Sequence, residues 1–356
     1  MKSKTILQSY LKKNKFYIGV FLFFYIFFYL LGIISLSLGL LIISLASGCL
    51  FYNVQIYDEI KKEDAIAITG CDSGLGYSIA LHCKNNLGLH VIAGVHSTAS
   101  RGAQELVKHG IETIEIELTN LESIESFTKS IQKLLESQKY RLRGFVNNAG
   151  MMIFGEFEWQ TDEQIYNQLQ VNLLGTARLT KSMIPILRQH KSRLIIVTSH
   201  CAIEALPGVA MYSATKAALS AWSTSLRVEL KKSNITVVNF VPGSFIDSSN
   251  ILFRQQNHFD VMDSSMQQEA KKFYQGYFKL YASYLTSFAQ DNSLKKIQQP
   301  EIYDSFNDLL LDKNPNAIYI CEPWRYWIYF TLCKISPTTV RDYLIEKFVQ
   351  MPKFNY

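Results

Sequence analysis

Beyond Asp64 the chain alternates short apolar runs with longer stretches in which apolar residues recur every three or four positions. The short runs AIAIT (65–69), HVIAGV (90–95), IETIEIEL (111–118), GFVNN (144–148), RLIIVTS (193–199) and ITVVNFV (235–241) predict strands. The stretches Gly76–Asn86, Leu121–Gln138, Asp162–Gln189 and Ala210–Lys232 predict helices. Strands that alternate with helices imply a parallel sheet with right-handed crossovers and helices on both faces. The expectation is one doubly wound α/β domain, since no repeat or low-complexity linker interrupts the pattern.

The first 57 residues follow a different rule. From Phe16 to Tyr57 no residue is charged, and Phe, Leu, Ile and Tyr dominate. A membrane-spanning helix needs about 20 apolar residues, so the run is long enough for two spans, about 16–34 and 37–57, bending near Gly32–Gly39. It is too long for the apolar core of a cleaved signal peptide, which has roughly 7–15 residues. The expected organisation is a membrane anchor over 1–57 and one domain over 58–356, within which 246–300 covers the substrate. Lys2, Lys4, Lys12, Lys13 and Lys15 precede the run and mark its cytosolic end. Two spans return the domain to the cytosol, whereas one tilted span puts it in the lumen.

Composition adds two exclusions. With 48% hydrophobic and 19% charged residues in 356, the chain is neither disordered nor fibrous. Its net charge of +6 comes almost entirely from the five amino-terminal lysines, so the remainder is nearly neutral and no nucleic-acid partner is expected. The six cysteines lack the spacing of a disulfide framework or zinc site, which favours a reducing compartment. The histidines show no ligand spacing, and no metal is expected.

Two clusters carry candidate chemistry. The first strand runs into Thr69-Gly70-Cys71-Asp72-Ser73-Gly74-Leu75-Gly76, and a helix follows at once. Glycines so spaced allow a tight turn and close approach of backbone to a pyrophosphate, and the helix N-terminus offers it free N–H groups. Strand, loop and helix together predict a dinucleotide site of Rossmann type. The second cluster is Tyr212-Ser213-Ala214-Thr215-Lys216, in which Tyr212 and Lys216 share a helix face at i, i+4. A free tyrosine has a pKa of about 10. An adjacent ammonium favours its phenolate, which suits a general acid/base. Ser199 ends a strand upstream, where its hydroxyl could bind a substrate oxygen.

Taken with Asn147-Asn148-Ala149-Gly150, Val171-Asn172 and Pro242-Gly243, in that order, these motifs resemble the short-chain dehydrogenase/reductase family over about 64–245. The resemblance implies a catalytic set of Asn172, Ser199, Tyr212 and Lys216. Tyr212 would be the acid/base, Lys216 would lower its pKa and bind the nicotinamide ribose, Ser199 would orient the substrate oxygen, and Asn172 would hold a relay water. Cofactor contacts would come from Gly70, Ser73, Gly74, Leu75, Gly76, Glu117, Leu118, Asn148, Ala149, Gly150, Tyr212, Lys216, Pro242 and Gly243. The loop, the anchor and the tail pairs Arg325-Tyr326, Ser336-Pro337 and Asp342-Tyr343 are similar to the membrane-associated branch that holds retinol, 17β-hydroxysteroid and D-3-hydroxybutyrate dehydrogenases. That branch implies NAD as cofactor, with NADP as the alternative. It also implies an apolar steroid or retinoid substrate (ecdysteroid synthesis included), membrane lipid as a partner, a homodimer, and the endoplasmic reticulum membrane with the domain facing the cytosol.

Three features depart from the family pattern. Glu117-Leu118-Thr119 stands where Asp is usual, Asp247 occupies the place of a carboxamide-binding Thr, and Val95-His96-Ser97 with Arg101 follows neither cofactor-phosphate rule. Glu117 and Asp247 are the only encouragement for a competing reading, a non-catalytic scaffold that kept the fold. Phe273, Tyr274, Tyr277, Phe278, Tyr281, Tyr284, Leu285 and Phe288 form one helical face. That face either packs on the core, covers an apolar pocket beside Tyr212, or touches the membrane. His200 is expected to be structural or pocket-lining rather than a second base.

Overall fold

The computed structural model describes residues 56–243, 250–288 and 294–354, and in the amino-terminal segment 23, 25–27, 29, 30, 32 and 44. The expected spans lie almost wholly outside these residues. Among the described residues no helix is long and apolar enough to cross a membrane. Two compact units are distinguished, Met1–Asp58 with Leu311–Asn314, and Glu59–Leu310 with Pro315–Tyr356. Within the first, Tyr57 forms an antiparallel bridge with Asp312. There Asp58 N donates to Leu311 O and Lys313 N to Ile56 O, both at 2.8 Å.

The second unit begins β1 (Asp64–Thr69), α1 (Gly74–Asn85), β2 (His90–Val95), α2 (Arg101–Lys108), β3 (Glu112–Glu115), α3 (Leu121–Gln138), β4 (Arg141–Asn147), α4 (Asp162–Leu169) and α5 (Thr176–His190). It continues β5 (Arg193–Val197), α6 (Ala210–Glu229), β6 (Thr236–Val241), α7 (Gln255–Ser265), α8 (Gln268–Thr286), α9 (Pro300–Leu311), β7 (Ile318–Ile320), α10 (Trp324–Ile335) and α11 (Thr338–Val349). The strands form one parallel sheet in the order β3-β2-β1-β4-β5-β6-β7. Chain direction across the sheet reverses between β1 and β4, and in such sheets ligands bind in the crevice beyond the strand ends at that point.

Both sheet faces are covered, which explains why the central strands read as continuous apolar runs. On one face Phe127 and Ile131 of α3, Leu179 and Met183 of α5 and Leu219 of α6 pack on Ala65, Ala67, Phe145 and Ile196. On the other, Phe306 of α9 meets Phe240 of β6 edge to face at 6.1 Å. His82 of α1 is hydrogen-bonded to Asn307 of α9 at 2.8 Å.

Several expected elements change. The long helix over 162–189 is interrupted by a π-turn, Gln170–Gly175, an insertion that leaves the apolar period almost untouched. A Cβ on Gly175 would lie 2.6 Å from Leu118 O, so this turn is held against the end of the β3 segment. β3 stops at Glu115 rather than 118. β7 carries no period-2 signal long enough to read, since only Tyr319 of its three residues is buried.

A carboxylate joins the starts of β1 and β4. Asp64, with a fully buried side chain, accepts from Arg141 Nε and Nη2 (2.7 and 3.0 Å), Arg143 Nη1 (3.0 Å) and Lys61 N (3.0 Å). Burial alone would raise its pKa, but these bonds, those of Arg141 foremost, hold it below the usual carboxylate range. Removing one member of a buried ion cluster strands the others, so Asp64→Ala should cost about 3–5 kcal/mol in urea unfolding. With its folded pKa depressed, Asp64 contributes fully above its unfolded pKa, and that contribution is lost as pH falls through the folded value. Asp64→Asn should therefore flatten the acid limb of the stability profile.

Candidate active site

The glycine loop and the NNAG segment are tied together at the β1/β4 reversal. Thr69 Oγ1 accepts from the N–H groups of Asn148 and Ala149, each at 3.1 Å, and donates to Val146 O at 3.3 Å. Asn148 Nδ2 donates to Thr69 O (2.8 Å) and Gly70 O (3.2 Å). A Cβ on Gly76 would lie 2.3 Å from Gly70 O and 2.5 Å from Asn148 Nδ2, so only glycine fits there. Gly70 and Gly74 adopt φ of +70° and +58°, the left-handed region glycine enters freely. Ser73 caps α1 without a side-chain hydrogen bond, which leaves the N–H groups of Gly74, Leu75 and Gly76 at the helix start to face a ligand.

Asp72 has a structural task. Its carboxylate accepts from His96 N (2.8 Å) and Ser97 N (3.4 Å), pinning the turn after β2 to the loop. Glu117 accepts from Thr119 N (2.9 Å), Thr119 Oγ1 (2.8 Å) and His96 Nε2 (2.9 Å). Burial pushes its pKa up, but the Thr119 and His96 bonds outweigh that and keep it lowered. Leu118, beside it, is buried.

The four candidate catalytic residues converge. Asn172 lies in the π-turn and is fully buried; its Oδ1 accepts from Met151 N, and its Nδ2 donates to Met151 O and Thr215 Oγ1 (2.8, 2.8 and 3.1 Å). Thr215 Oγ1 in turn donates to Tyr212 O at 2.8 Å. Lys216 Nζ donates to Val197 O at 3.0 Å and stands 5.7 Å from the centroid of the Tyr212 ring. A Cβ on Gly150 would meet Asn172 Oδ1 at 3.2 Å and Lys216 Nζ at 3.5 Å. Ser199, at the end of the β5 segment, accepts from Cys201 N at 3.2 Å and lies near enough to the Tyr212 hydroxyl to lower its pKa.

Burial dominates the electrostatics of this pair. Burial raises the pKa of the Tyr212 phenol, more than Ser199 beside it lowers it. Burial pushes the Lys216 amine itself down to about 8. Placed in one dry site, both groups lose solvation of their charged forms.

Around Tyr212 lie Met152, Cys201, Val209 and Leu252, with Phe154 and Leu206 packed on them. The aromatic face of α8 mostly takes its packing role. Tyr274, Tyr277, Phe278 and Tyr281 surround the buried Trp159 at 5.0–5.8 Å between ring centres. Tyr274 and Tyr277 donate to Glu158 and Glu156 at 2.7 and 2.8 Å. Gln255 of α7, with no signal in the sequence, brackets Phe154 by donating to its O (2.7 Å) and accepting from its N (3.0 Å).

His200 is structural. Its ring packs on Tyr326 and Phe330, and burial takes its pKa down to about 4. At the β6 end Pro242 is buried, and a Cβ on Gly243 would strike Cys321 O. Asp247, with Ser248 and Ser249, lies outside the described residues. Glu322 was missed by sequence reasoning, because only the β6/β7 pairing sets it beside Gly243. Burial lifts its carboxyl to about 7, and Oε1 finds no partner among the described residues.

A family model described as short chain dehydrogenase matches residues 64–256. Estradiol 17-beta-dehydrogenase 2 of Mus musculus is 32% identical over 325 residues, covering 88% of this chain and 83% of its own. D-beta-hydroxybutyrate dehydrogenase, mitochondrial, of Bos taurus is 30% identical over 292 residues, covering 78% and 82%. Retinol dehydrogenase 7 of Mus musculus is 27% identical over 308 residues, covering 83% and 91%.

Two outcomes check this geometry. Gly76→Ala should weaken NAD binding in calorimetric titration by about tenfold or more, equivalent to about 1.4 kcal/mol; an unchanged Kd would remove the loop from the cofactor site. Because the folded pKa of Glu322 is raised, its protonated form favours folding at lower pH, and that contribution is lost as pH rises through about 7. Glu322→Gln should accordingly gain thermal stability over the parent at about pH 8 and little at about pH 5.

Proposed function

The chain belongs to the short-chain dehydrogenase family, NAD(P)-dependent oxidoreductases of CH–OH groups, and from that premise we propose that it oxidises or reduces an apolar steroid or retinoid at one alcohol carbon. The observation that carries this reading is the convergence of Tyr212, Ser199, Lys216 and Asn172 beside an apolar wall of Met152, Val209 and Leu252. Such a wall with a few convergent polar groups suits a lipid-like alcohol better than a small hydroxy acid. The Mus musculus relative named for estradiol agrees with it, and ecdysteroids fall in the same chemical class.

The glycine loop fits a dinucleotide: Gly70 and Gly74 take left-handed φ, and packing of Gly76 against Gly70 O and Asn148 draws the loop tight at the start of α1. Bound NAD(P) supplies the hydride acceptor or donor for the alcohol carbon. Tyr212 Oη takes the substrate hydroxyl proton in oxidation and returns it in reduction. Ser199 Oγ, beside that phenol, holds the substrate oxygen in line. Burial makes an isolated Tyr212 phenolate costly, so proton removal needs a charged Lys216, and Lys216 keeps its proton only below about pH 8. Asn172 braces this face through Thr215 and Met151.

NAD is the proposed cofactor. Three carboxylates gather at the β2 end, Asp72 on His96 N, Glu115 on Thr98 N and Glu117 on the His96 ring, at 2.8–2.9 Å. They would repel a ribose 2′-phosphate more than a 2′-hydroxyl. Residues 1–57 serve as an anchor in the endoplasmic reticulum membrane, with the domain on the cytosolic side; the uncharged run 16–57 and its leading lysines support this.

The test is turnover by the full chain in detergent or vesicles, with NAD or NADP and a panel of steroids, retinoids and 3-hydroxyacids. Steroid or retinoid turnover with NAD is expected, falling about 10²–10⁴-fold in Tyr212→Phe while NAD binding persists. Turnover confined to 3-hydroxyacids, or indifferent to Tyr212→Phe, overturns the reading.

A further inference from the structure

Helix α10 is apolar on both sides. Its inner side carries Tyr326, whose ring meets His200 at 5.3 Å and Phe348 of α11 at 4.8 Å, and the buried Cys333. Arg341 of α11 donates through Nε to the buried Glu204 at 3.0 Å. The two helices are thus clamped onto the turn that follows Ser199. The outer side of α10 presents Trp324, Trp327, Ile328, Leu332 and Ile335, spaced as a single helical stripe. Trp324 is 77%, Trp327 64% and Ile335 73% exposed. A soluble surface rarely leaves so continuous an apolar stripe bare.

We infer that this outer face of α10 lies in the interfacial layer of an anionic lipid bilayer, as a membrane contact separate from residues 1–57. Two observations select lipid over protein. Tryptophans flanked by basic residues are the chemistry of the headgroup boundary, and α10 contains Arg325 and Lys334 but no acid, which complements anionic headgroups. A second copy of the chain seated on the same face would bring these cations together with no acid on the helix to answer them. The contact would hold the turn bearing Ser199, His200 and Glu204 close to the phase from which an apolar alcohol is drawn.

Tryptophan fluorescence of the full chain tests the inference, because residues 1–57 contain no tryptophan and all four lie at 159, 222, 324 and 327. Vesicles of phosphatidylcholine and phosphatidylserine with brominated acyl chains should quench the emission. Trp324→Phe/Trp327→Phe, which keeps the face apolar, should lose that quenching. Quenching that persists in the double variant overturns the inference. So does a vesicle-bound parent chain with no quenching; that result leaves the amino-terminal anchor standing. Quenching in a chain that vesicles release at high salt supports this face and instead removes the anchor. Absence of quenching in a dimer that Trp324→Ser/Trp327→Ser dissociates assigns the face to a second copy and also overturns the lipid contact.

Discussion

Where β1 and β4 diverge, the ladder that satisfied their backbone groups ends, and those groups need other partners or water. The Asn148 side chain supplies part of that need by donating to Thr69 O and Gly70 O, while Thr69 Oγ1 receives the N–H groups of Asn148 and Ala149. The glycine loop and the NNAG segment thereby become one rigid wall. The space left is so small that Gly76 cannot carry a Cβ. The same wall reaches the acid–base group through Gly150, which sits against Asn172 and Lys216. One side-chain amide therefore aligns the cofactor cradle with the proton-handling residues.

Burial is the second organising fact, and it acts against simple pairwise reasoning. Tyr212 and Lys216 are close enough to interact, yet desolvation moves each toward its neutral form. A site this dry magnifies every polar contact made there once a substrate oxygen and a cofactor share it. Asn172, with its amide fully engaged, and Thr215 fix the geometry in which this happens.

Much of this was legible beforehand. β2 and α3 keep the bounds their periodicity implied, because alternating burial on a two-faced sheet writes itself directly into the pattern of apolar residues. Tyr212 and Lys216 share a face because i, i+4 spacing alone requires it. The π-turn at Gln170–Gly175 was hidden because one inserted residue barely disturbs the period. Glu117 was expected at the cofactor, but its bonds to Thr119 and His96, like the hold of Asp72 on the β2 turn, were not legible. Hydrogen bonds between residues some twenty positions apart leave no mark on local spacing.

The amino-acid sequence by itself determined the alternation of strands and helices, the parallel sheet, the glycine loop and the identity of the candidate acid–base residues. Each of these depends on interactions within a few residues or on a period that repeats. Only the tertiary structure decided that Glu322 stands beside Gly243, that the His200 ring packs on Tyr326 and Phe330, and that α10 turns an apolar face outward. Such facts depend on which distant segments share a surface, and on how much water that surface excludes. Desolvation is a property of the whole packed site, so it is the quantity that local sequence conveys least.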